Sequence, residues 1–599
     1  MISSRRDGAG RHALVFGATG FIGRHLVLAL GRAGARVSTA NRSPESYRRL
    51  VRWLDEHGHG EPPADLRADF TGPSLIQDGC EDVTEIHNCA GAYRFGMPAD
   101  EARRANVDGV RAIVAFAARL PRLRRLVHVS GYRVGGQDPS PWSEERRRAT
   151  YRALGAYEAS KAEADAVFQA EAARLGVPWS IVNPPSVIGD AATGESDQYL
   201  GLATTLRDLW TGSLAAVPGN ARTFVPVVAA DYLARFMTLI PEDEAAEGTA
   251  YWPLDDGTPA LPDLLALVAE HYRVKAPRAR IPVALVRRLP QRLTKADPET
   301  LSFLSEDRYP TASASAFAAR HGLAMPDAAT TIRRWADHLA AHRFGEAEPV
   351  PEAGGRRFIA PAGVRTFEIG EPDAPTLVLP GLPVNADTWA PVVAALGRAR
   401  AVDLPGLGMS AGRRDDWPSW LSALVKETGA RHLVGHSIGA AAAVEAAAAH
   451  PEAVERLTLV SPFFLQAPPA GIARRASLTR QYLRRVSSET LAMRLTGTAA
   501  HAAALESSAA DLRRGTVAAT AARLLAATAD PSWRDELAAG LRRHAGPVHV
   551  IVGADDPLTP EGRALLDALP QVTVTVIAGA SHHPQITHPE EVARAVQGT

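Results

Sequence analysis

A chain of 599 residues is too long for one hydrophobic core, and at about 150 residues per domain it predicts two to four domains. Lys plus Arg and Asp plus Glu balance at 66 each, so no overall field favours nucleic acid or an anionic membrane. The two cysteines, Cys80 and Cys89, are too few for a disulfide framework or a thiolate metal site. With no apolar leader at Met1-Ile-Ser-Ser-Arg-Arg and no run near the ~18 apolar residues of a membrane span, a soluble cytoplasmic protein is expected.

The first predicted element is a buried strand, Ala13 to Phe16, which runs into Gly17-Ala-Thr-Gly20-Phe-Ile-Gly23 and then a helix through Leu26, Leu28 and Leu30. Glycines at this spacing serve a tight turn, a close approach of backbone to a pyrophosphate, and close packing of helix on strand. The helix N-terminus adds free N–H groups and partial positive charge. The candidate phosphate-binding residues are therefore Gly17, Thr19, Gly20, Phe21, Ile22 and Gly23.

Arg36 to Ala40 reads as the second strand and ends in Asn41-Arg42-Ser43. An acidic residue here would bind the ribose hydroxyl of NAD, whereas Arg42 suits the 2′-phosphate of NADP(H). Next come Arg67-Ala-Asp69-Phe-Thr71, a strand Glu85-Ile-His-Asn-Cys-Ala90-Gly91, Asn106-Val-Asp-Gly109 opening an Ala-rich helix, and a strand Leu126-Val-His-Val-Ser130-Gly131. Alternation of strands and helices predicts a parallel, doubly wound α/β sheet, with ligands at the C-terminal strand ends. On the helix expected from Tyr151 to Ala173, Tyr157 and Lys161 stand four apart and share a face. An ammonium beside the phenol lowers its pKa and suits it to protonate a carbonyl that receives hydride.

Taken together, Gly17-Ala-Thr-Gly20-Phe-Ile-Gly23, His87-Asn-Cys-Ala90-Gly91, Asn106-Val-Asp-Gly109, Tyr157-x-x-x-Lys161 and Asn183-Pro-Pro-Ser-Val-Ile-Gly189 resemble an extended short-chain dehydrogenase/reductase over residues 13–340. Val127-His-Val-Ser130 and Thr223-Phe-Val-Pro226 are most similar to its acyl-CoA and thioester reductase branch. The resemblance implies cofactor contacts at Asp69 (adenine), Ala90, Gly91, Asn106, Tyr157 and Lys161, a substrate subdomain at about 191–340, and catalytic Tyr157 and Lys161. The family has a hydroxyl where this chain has Gly131, so either Ser130 takes that role or Tyr157 works without a partner. Residues 1–12 are expected as a tail. His57-Gly-His59 reads as loop, and Trp335, on a face with Ile332 and Leu339, reads as core.

Glu346-Ala-Glu-Pro349-Val-Pro351-Glu-Ala-Gly354-Gly355 lacks apolar periodicity and is expected to fall in a linker spanning 341–355. Strands and helices resume at Thr376-Leu-Val-Leu379 in a second α/β domain, 356–599. Its anchor is Gly435-His-Ser437-Ile-Gly439 between a strand and the helix Ala440 to His450, the pattern of a nucleophile elbow. Two later strands end at Gly553-Ala-Asp555-Asp556-Pro557 and Gly579-Ala-Ser-His582-His583-Pro584. The chain here resembles the α/β-hydrolase family. That resemblance gives a triad of Ser437, Asp556 and His582, with Asp555 and His583 as rivals one residue out of register. Leu382, in Pro380-Gly381-Leu382-Pro383, and Ile438 fit the two oxyanion N–H donors. Asp403-Leu-Pro-Gly-Leu-Gly-Met-Ser410 looks like another loop of the family. Residues 463–545 are expected as a helical cap.

The expectation is thus an NADP(H)-dependent reductase of a carbonyl or acyl thioester fused to a serine esterase or thioesterase. The acyl group would be small or carried on coenzyme A or an acyl carrier protein, with no nucleic acid and no metal. Two alternatives stand beside it: an NADP(H)-binding module without turnover attached to an active hydrolase, and a ketone or hydroxysteroid-type dehydrogenase fused to an esterase.

Overall fold

A computed structural model describes residues 10–70, 74–91, 96–286, 301, 303–347, 350, 353–469, 471 and 475–598. Residues 1–9 of the expected tail, residues 287–300 of the expected substrate subdomain and residues 348, 349, 351 and 352 of the expected linker lie outside the described residues. The chain divides into two compact units. One is Met1–Leu206 with Leu214–Val268 and Ala276–Leu339; the other is Arg207–Ser213, Ala269–Lys275 and Ala340–Thr599.

In the first unit seven parallel strands, β1 (His12–Phe16), β2 (Arg36–Asn41), β3 (Ala64–Arg67), β4 (Glu85–Asn88), β5 (Arg125–Val129), β6 (Trp179–Val182) and β7 (Thr249–Tyr251), lie in the order β7-β6-β5-β4-β1-β2-β3. This is the doubly wound α/β class expected from the sequence. β1 shows how the core is built. Ala13 and Val15 join Leu26, Val27 and Leu30 of helix α1 (Phe21–Arg32), while Leu14 and Phe16 join Val110, Ile113 and Val114. Alternate residues of one strand thereby feed two apolar layers. Strand order reverses at β1, so the crevice between the C-terminal ends of β1 and β4 is the switch point where such sheets take ligands.

Two further helices position site residues: α2 (Pro44–Glu56) and α3 (Glu144–Leu175). α3 covers the helix expected at Tyr151 to Ala173 but is broken at Gly155, which takes φ 81° and ψ 168°. Such backbone is open to glycine at little cost. The break starts a fresh segment two residues before Tyr157. Ile332, Trp335 and Leu339 are buried, Trp335 at 3 % exposure.

The second unit has a mixed sheet of eight strands, β8 (Gly355–Ile359), β9 (Thr366–Gly370), β10 (Thr376–Leu379), β11 (Ala399–Val402), β12 (His432–His436), β13 (Arg456–Val460), β14 (Val548–Gly553) and β15 (Val572–Ile577), ordered β8-β9-β11-β10-β12-β13-β14-β15. β9 pairs antiparallel with β8 and β11; the remaining pairs are parallel. Central β12 is buried throughout and feeds helix α4 (Ile438–Ala449), whose Ala440 to Ala443 are fully buried. Between β13 and β14 come helices α5 (Ala476–Leu483), α6 (Ser488–Thr496), α7 (Glu506–Arg513), α8 (Val517–Ala527) and α9 (Pro531–Arg543). α9 packs on α4: a Cβ at Gly540 would stand 2.9 Å from Val444 Cγ1. Among the described residues no helix is long and apolar enough to cross a membrane.

Candidate active sites

At the end of β1, Gly17 has φ +74° and so little clearance that a Cβ would meet the Ala90 amide nitrogen at 2.6 Å; at Gly23 it would meet Gly17 O at 2.1 Å. These contacts bring β4 and α1 against the turn. Above Gly20 the space is open, the nearest atom to a Cβ being Gly17 O at 3.3 Å. Thr19 and Gly20 are exposed, Ile22 is half-buried, and Phe21 is buried with its ring edge-on to His25. Phe21 therefore offers the crevice its backbone. α1 is capped by Gly20, with no side-chain cap and no acidic residue in its first turn, so its first N–H groups are placed to receive an anion.

Arg42, just beyond β2, is exposed and makes no ion pair among the described residues, while Ser43 caps α2 by accepting from the Ser46 amide at 3.3 Å. Asp69 is exposed two residues beyond β3. Beside it Phe70 is 40 % exposed and edge-on to Phe16 at 6.4 Å. This aromatic face is not legible in the sequence, because one Phe in a loop carries no periodic signal. An open cradle over Gly20, a helix N-terminus and, at the β2 end, an arginine without an ion pair among the described residues fit a nicotinamide dinucleotide.

The next group gathers at the β4 and β5 ends. A Cβ at Gly91 would point at Asn106 Oδ1 (3.5 Å) and Lys161 Nζ (3.7 Å). Asn106 lies in a π-helical turn, Arg104–Asp108, and donates from Nδ2 to Ser160 Oγ at 2.9 Å; Ser160 in turn donates to Tyr157 O at 2.9 Å. Such turns recur at functional sites because they redirect one side chain. Lys161 Nζ donates to Val129 O at 3.1 Å. Burial pulls its ammonium down to about 8, against the opposing charge of Asp165 one turn on. Asp165, which neither motif contained, is fully buried, and burial pushes its carboxyl up. Ser130 is buried beside Asp165. At Gly131 a Cβ would meet, among the described residues, only Val134 Cγ2, at 3.3 Å.

The third group lies at the ends of β12, β14 and β15. Ser437, between β12 and α4, is held at φ 51° and ψ −109°, a strained conformation for a residue with a Cβ. The flanking glycines permit it: a Cβ at Gly439 would fall 1.9 Å from Leu379 O. His582 Nε2 lies 3.0 Å from Ser437 Oγ, and His582 Nδ1 lies 2.7 Å from Asp556 Oδ2. Asp555 is exposed and His583 is buried against His436; among the described residues it is Asp556 that bonds the His582 ring and His582 that reaches Ser437. With Nδ1–H given to the carboxylate, Nε2 is free to accept the serine proton.

Two partners of this chain were not read from the sequence. Gln466 Nε2 donates to Asp556 O at 3.0 Å and also to its Oδ2. Burial pushes the Asp556 carboxyl up, but the hydrogen bonds from His582 and Gln466 outweigh it and hold it below the usual range. His436 Nε2 donates to His582 O at 2.8 Å, and burial brings His436 down to about 3, so it stays neutral. A histidine inside the elbow thus fixes the backbone of the histidine beside the serine.

Gly381 is packed so that a Cβ would stand 2.8 Å from Ser437 Cβ, which brings the Leu382 loop to the serine. Ile438 is the first residue of α4, so its amide has no partner within the helix. Asp403 accepts from Ala386 N and Met409 N, each at 2.7 Å. Burial, with the Asp511 and Asp387 charges, pushes its carboxyl up to about 7.

With this geometry in hand, the chain matches known families in two stretches. Residues 72–237 match the family described as male sterility protein, an NAD-binding family, and residues 376–595 match the alpha/beta hydrolase family. Among curated proteins it is 30% identical over 246 residues to the pimeloyl-[acyl-carrier protein] methyl ester esterase of Aromatoleum aromaticum, covering 37% of this chain and 96% of that one. It is 30% identical over 227 residues to sterol demethylase protein B of Methylococcus capsulatus, covering 37% of this chain and 65% of the relative. It is 33% identical over 150 residues to esterase Rv0045c of Mycobacterium tuberculosis, covering 24% and 48%. The chain therefore spans less than two thirds of the length of these last two relatives.

Proposed function

Because the chain belongs to the alpha/beta hydrolase family through residues 376–595 and carries an NAD(P)-binding domain of the male sterility protein family before it, we propose that it is a two-site enzyme. In this reading an NADPH-dependent reductase of a carbonyl or acyl thioester is joined to a serine esterase or thioesterase. The domain limits are 13–340 and 356–599 about a linker, and the cap spans about 463–545. The observation that carries the proposal is the unbroken chain Ser437, His582, Asp556, at 3.0 and 2.7 Å. His582 takes the serine proton as the serine attacks the ester carbonyl, and Asp556 stabilises the resulting imidazolium. The Leu382 and Ile438 amides receive the oxyanion. His582 then returns the proton to the leaving alcohol or thiol, leaving an acyl-serine ester; it next takes a proton from a water that attacks that ester and gives it back to Ser437 as the carboxylic acid departs. A relative named for an ester on an acyl carrier protein supports an acyl group presented in that form.

In the first half, a bound nicotinamide dinucleotide supplies hydride. Gly17, Thr19, Gly20, Phe21, Ile22 and Gly23 would hold its phosphates, Arg42 would pair with a 2′-phosphate, and Asp69, Ala90, Gly91 and Asn106 would supply the remaining contacts. Tyr157 protonates the substrate oxygen, with Lys161 lowering the phenol's pKa. NADPH is expected to bind more tightly than NADH. Arg42→Ala should erase most of that difference, since a charge-assisted pair contributes about 1.5–3 kcal/mol. Equal affinities in the parent, read by fluorescence titration, would contradict the assignment.

The Lys161 ammonium also sets a pH limit. Its pKa is lowered to about 8, so raising the pH through that value removes the charge that favours the phenolate and weakens Tyr157 as an acid. The expected kcat/KM profile for reduction falls on its alkaline side near pH 8. A profile flat well above that value would exclude Lys161 from the step.

Gly131 favours a second reading, an NADP(H)-binding module without turnover. Among the described residues only Val134 crowds a side chain there, so Gly131→Ser fits with a small shift. NADPH oxidation with acyl thioesters, aldehydes and ketones side by side separates the readings. Oxidation by the parent supports the reductase; binding without oxidation, with turnover gained in Gly131→Ser, supports the module.

A further inference from the structure

The first unit holds a buried carboxyl that the mechanism above does not use. Asp165 stands one turn beyond Lys161 on α3 and is fully buried. Its Oδ1 accepts from Gln137 N at 3.0 Å and from Gln169 Nε2 at 2.9 Å. Gln169 Nε2 also donates to Gln137 O at 3.0 Å, and Gln137 Nε2 donates to Val134 O at 3.0 Å. Asp165 therefore clasps the loop after β5, residues 130–137, onto the helix that carries Tyr157 and Lys161. Inside that loop Gly135 N donates to Gly131 O at 2.8 Å, so the clasp also sets where Gly131 stands.

The same carboxyl meets Ser130, whose hydroxyl favours its charged form. Ser130 Oγ and Asp165 Oδ2 are both enclosed, and neither has another hydrogen-bond partner among the described residues. A serine hydroxyl rotates to the acceptor that it is offered. Two enclosed polar atoms left unmatched would each carry the desolvation penalty of a bond not made, which commits Ser130 to Asp165. Gly131, Tyr157 and Lys161, by contrast, are only half-buried. An enclosed hydroxyl among half-open neighbours belongs to the scaffold and is out of reach of a substrate oxygen.

Asp165 also carries charge. Lys161 Nζ donates to Val129 O, an uncharged acceptor. Burial weakens its hold on a proton, and the charge that opposes burial most is that of Asp165. The other titratable groups near the ammonium among the described residues are Tyr157 on the same helix face, Cys89 just past β4 and His128 on β5. Burial pushes Cys89 up to about 12 and His128 well below its usual range, so both are neutral where Lys161 titrates.

We propose that Asp165 is a positioning residue of the reductase: its carboxylate is the counter-charge that keeps the buried Lys161 protonated, and its grip on Ser130 removes that hydroxyl from the chemistry. Ser130 then does not replace the hydroxyl absent at Gly131, and Tyr157 works without that partner. The assignment rests on the reductase reading above.

The test reads Lys161 directly. The chain has four lysines, Lys161, Lys275, Lys295 and Lys426. Competitive acetylation of the full chain by acetic anhydride across neutral and alkaline pH, followed by peptide mass spectrometry, therefore gives the titration of Lys161 by itself. Asp165→Asn should lower its midpoint from about 8 by about one pH unit or more, as expected when a nearby opposite charge is removed. The alkaline limb of kcat/KM for reduction should move down by the same amount while NADPH affinity holds. Ser130→Ala should keep kcat for reduction near the parental value, whereas a hydroxyl that took part in proton transfer would cost about 10²-fold or more. Should Asp165→Asn not bind NADPH, Asp165→Glu and Asp165→Gln ask the same question: the first should titrate like the parent and the second at lower pH. An unshifted Lys161 midpoint in a neutral variant that binds NADPH overturns the assignment and leaves the reductase standing. So does a loss of about 10²-fold in kcat for Ser130→Ala at parental NADPH affinity. A shifted midpoint in a chain whose parent reduces no carbonyl or thioester upholds the counter-charge and overturns the reductase reading.

Discussion

Replacing Ser437 by alanine is expected to lower hydrolysis of a short activated ester by about 10⁴–10⁶-fold, and His582→Ala by a similar factor. The two should not add. Ser437 has no base without His582, and His582 has no nucleophile without Ser437, so the double variant should be little worse than either single one. Geometry supports the size of the effect, because the 3.0 Å contact between His582 and Ser437 is direct, the imidazole is held by Asp556, and the His582 backbone carbonyl is held by His436. Initial rates for the three variants check this. A single alanine variant that keeps a tenth of parental activity would remove that residue from the chemistry.

The second large effect is Tyr157→Phe in the reductase, expected to cost about 10²–10⁴-fold, the usual contribution of a general acid. Removing one oxygen leaves the Tyr157 carbonyl available to Ser160, and with it the Ser160 contact to Asn106. NADPH affinity should therefore change far less than turnover. Single-turnover NADPH oxidation against a thioester or aldehyde separates binding from chemistry. Full activity in the phenylalanine variant would assign proton donation to another group.

How much was legible in the sequence depends on the range of the interaction that fixes each residue. Gly17, Gly23, Ser437 and Gly439 were readable because their demands are local, a turn or a close approach between consecutive elements. Asp556 and His582 were reached only through the resemblance to the α/β-hydrolase family, each beside a rival one residue out of register, Asp555 and His583. Gln466 was not, since it meets Asp556 across 90 residues through the path of the segment after β13. Nor was Asp165, whose significance arises from burial beside Lys161 and Ser130. The helix expected from Tyr151 to Ala173 was right in place but hid the break at Gly155, since one glycine in an Ala-rich run looks tolerable until its φ is known. Arg343 shows the same limit from another side. Composition around 341–355 carries no apolar period, yet two aspartates distant in sequence hold that arginine in the hydrolase unit.

The most direct test of the central claim, that residues 356–599 hold a working serine hydrolase built on Ser437, is covalent labelling of the full chain by a fluorophosphonate followed by peptide mass spectrometry. The predicted result is one adduct on the peptide that contains Gly435-His-Ser437-Ile-Gly439, formed at a rate that falls sharply in His582→Ala and lost in Ser437→Ala. Labelling that persists in folded Ser437→Ala, or its absence from the folded parent, would contradict the account.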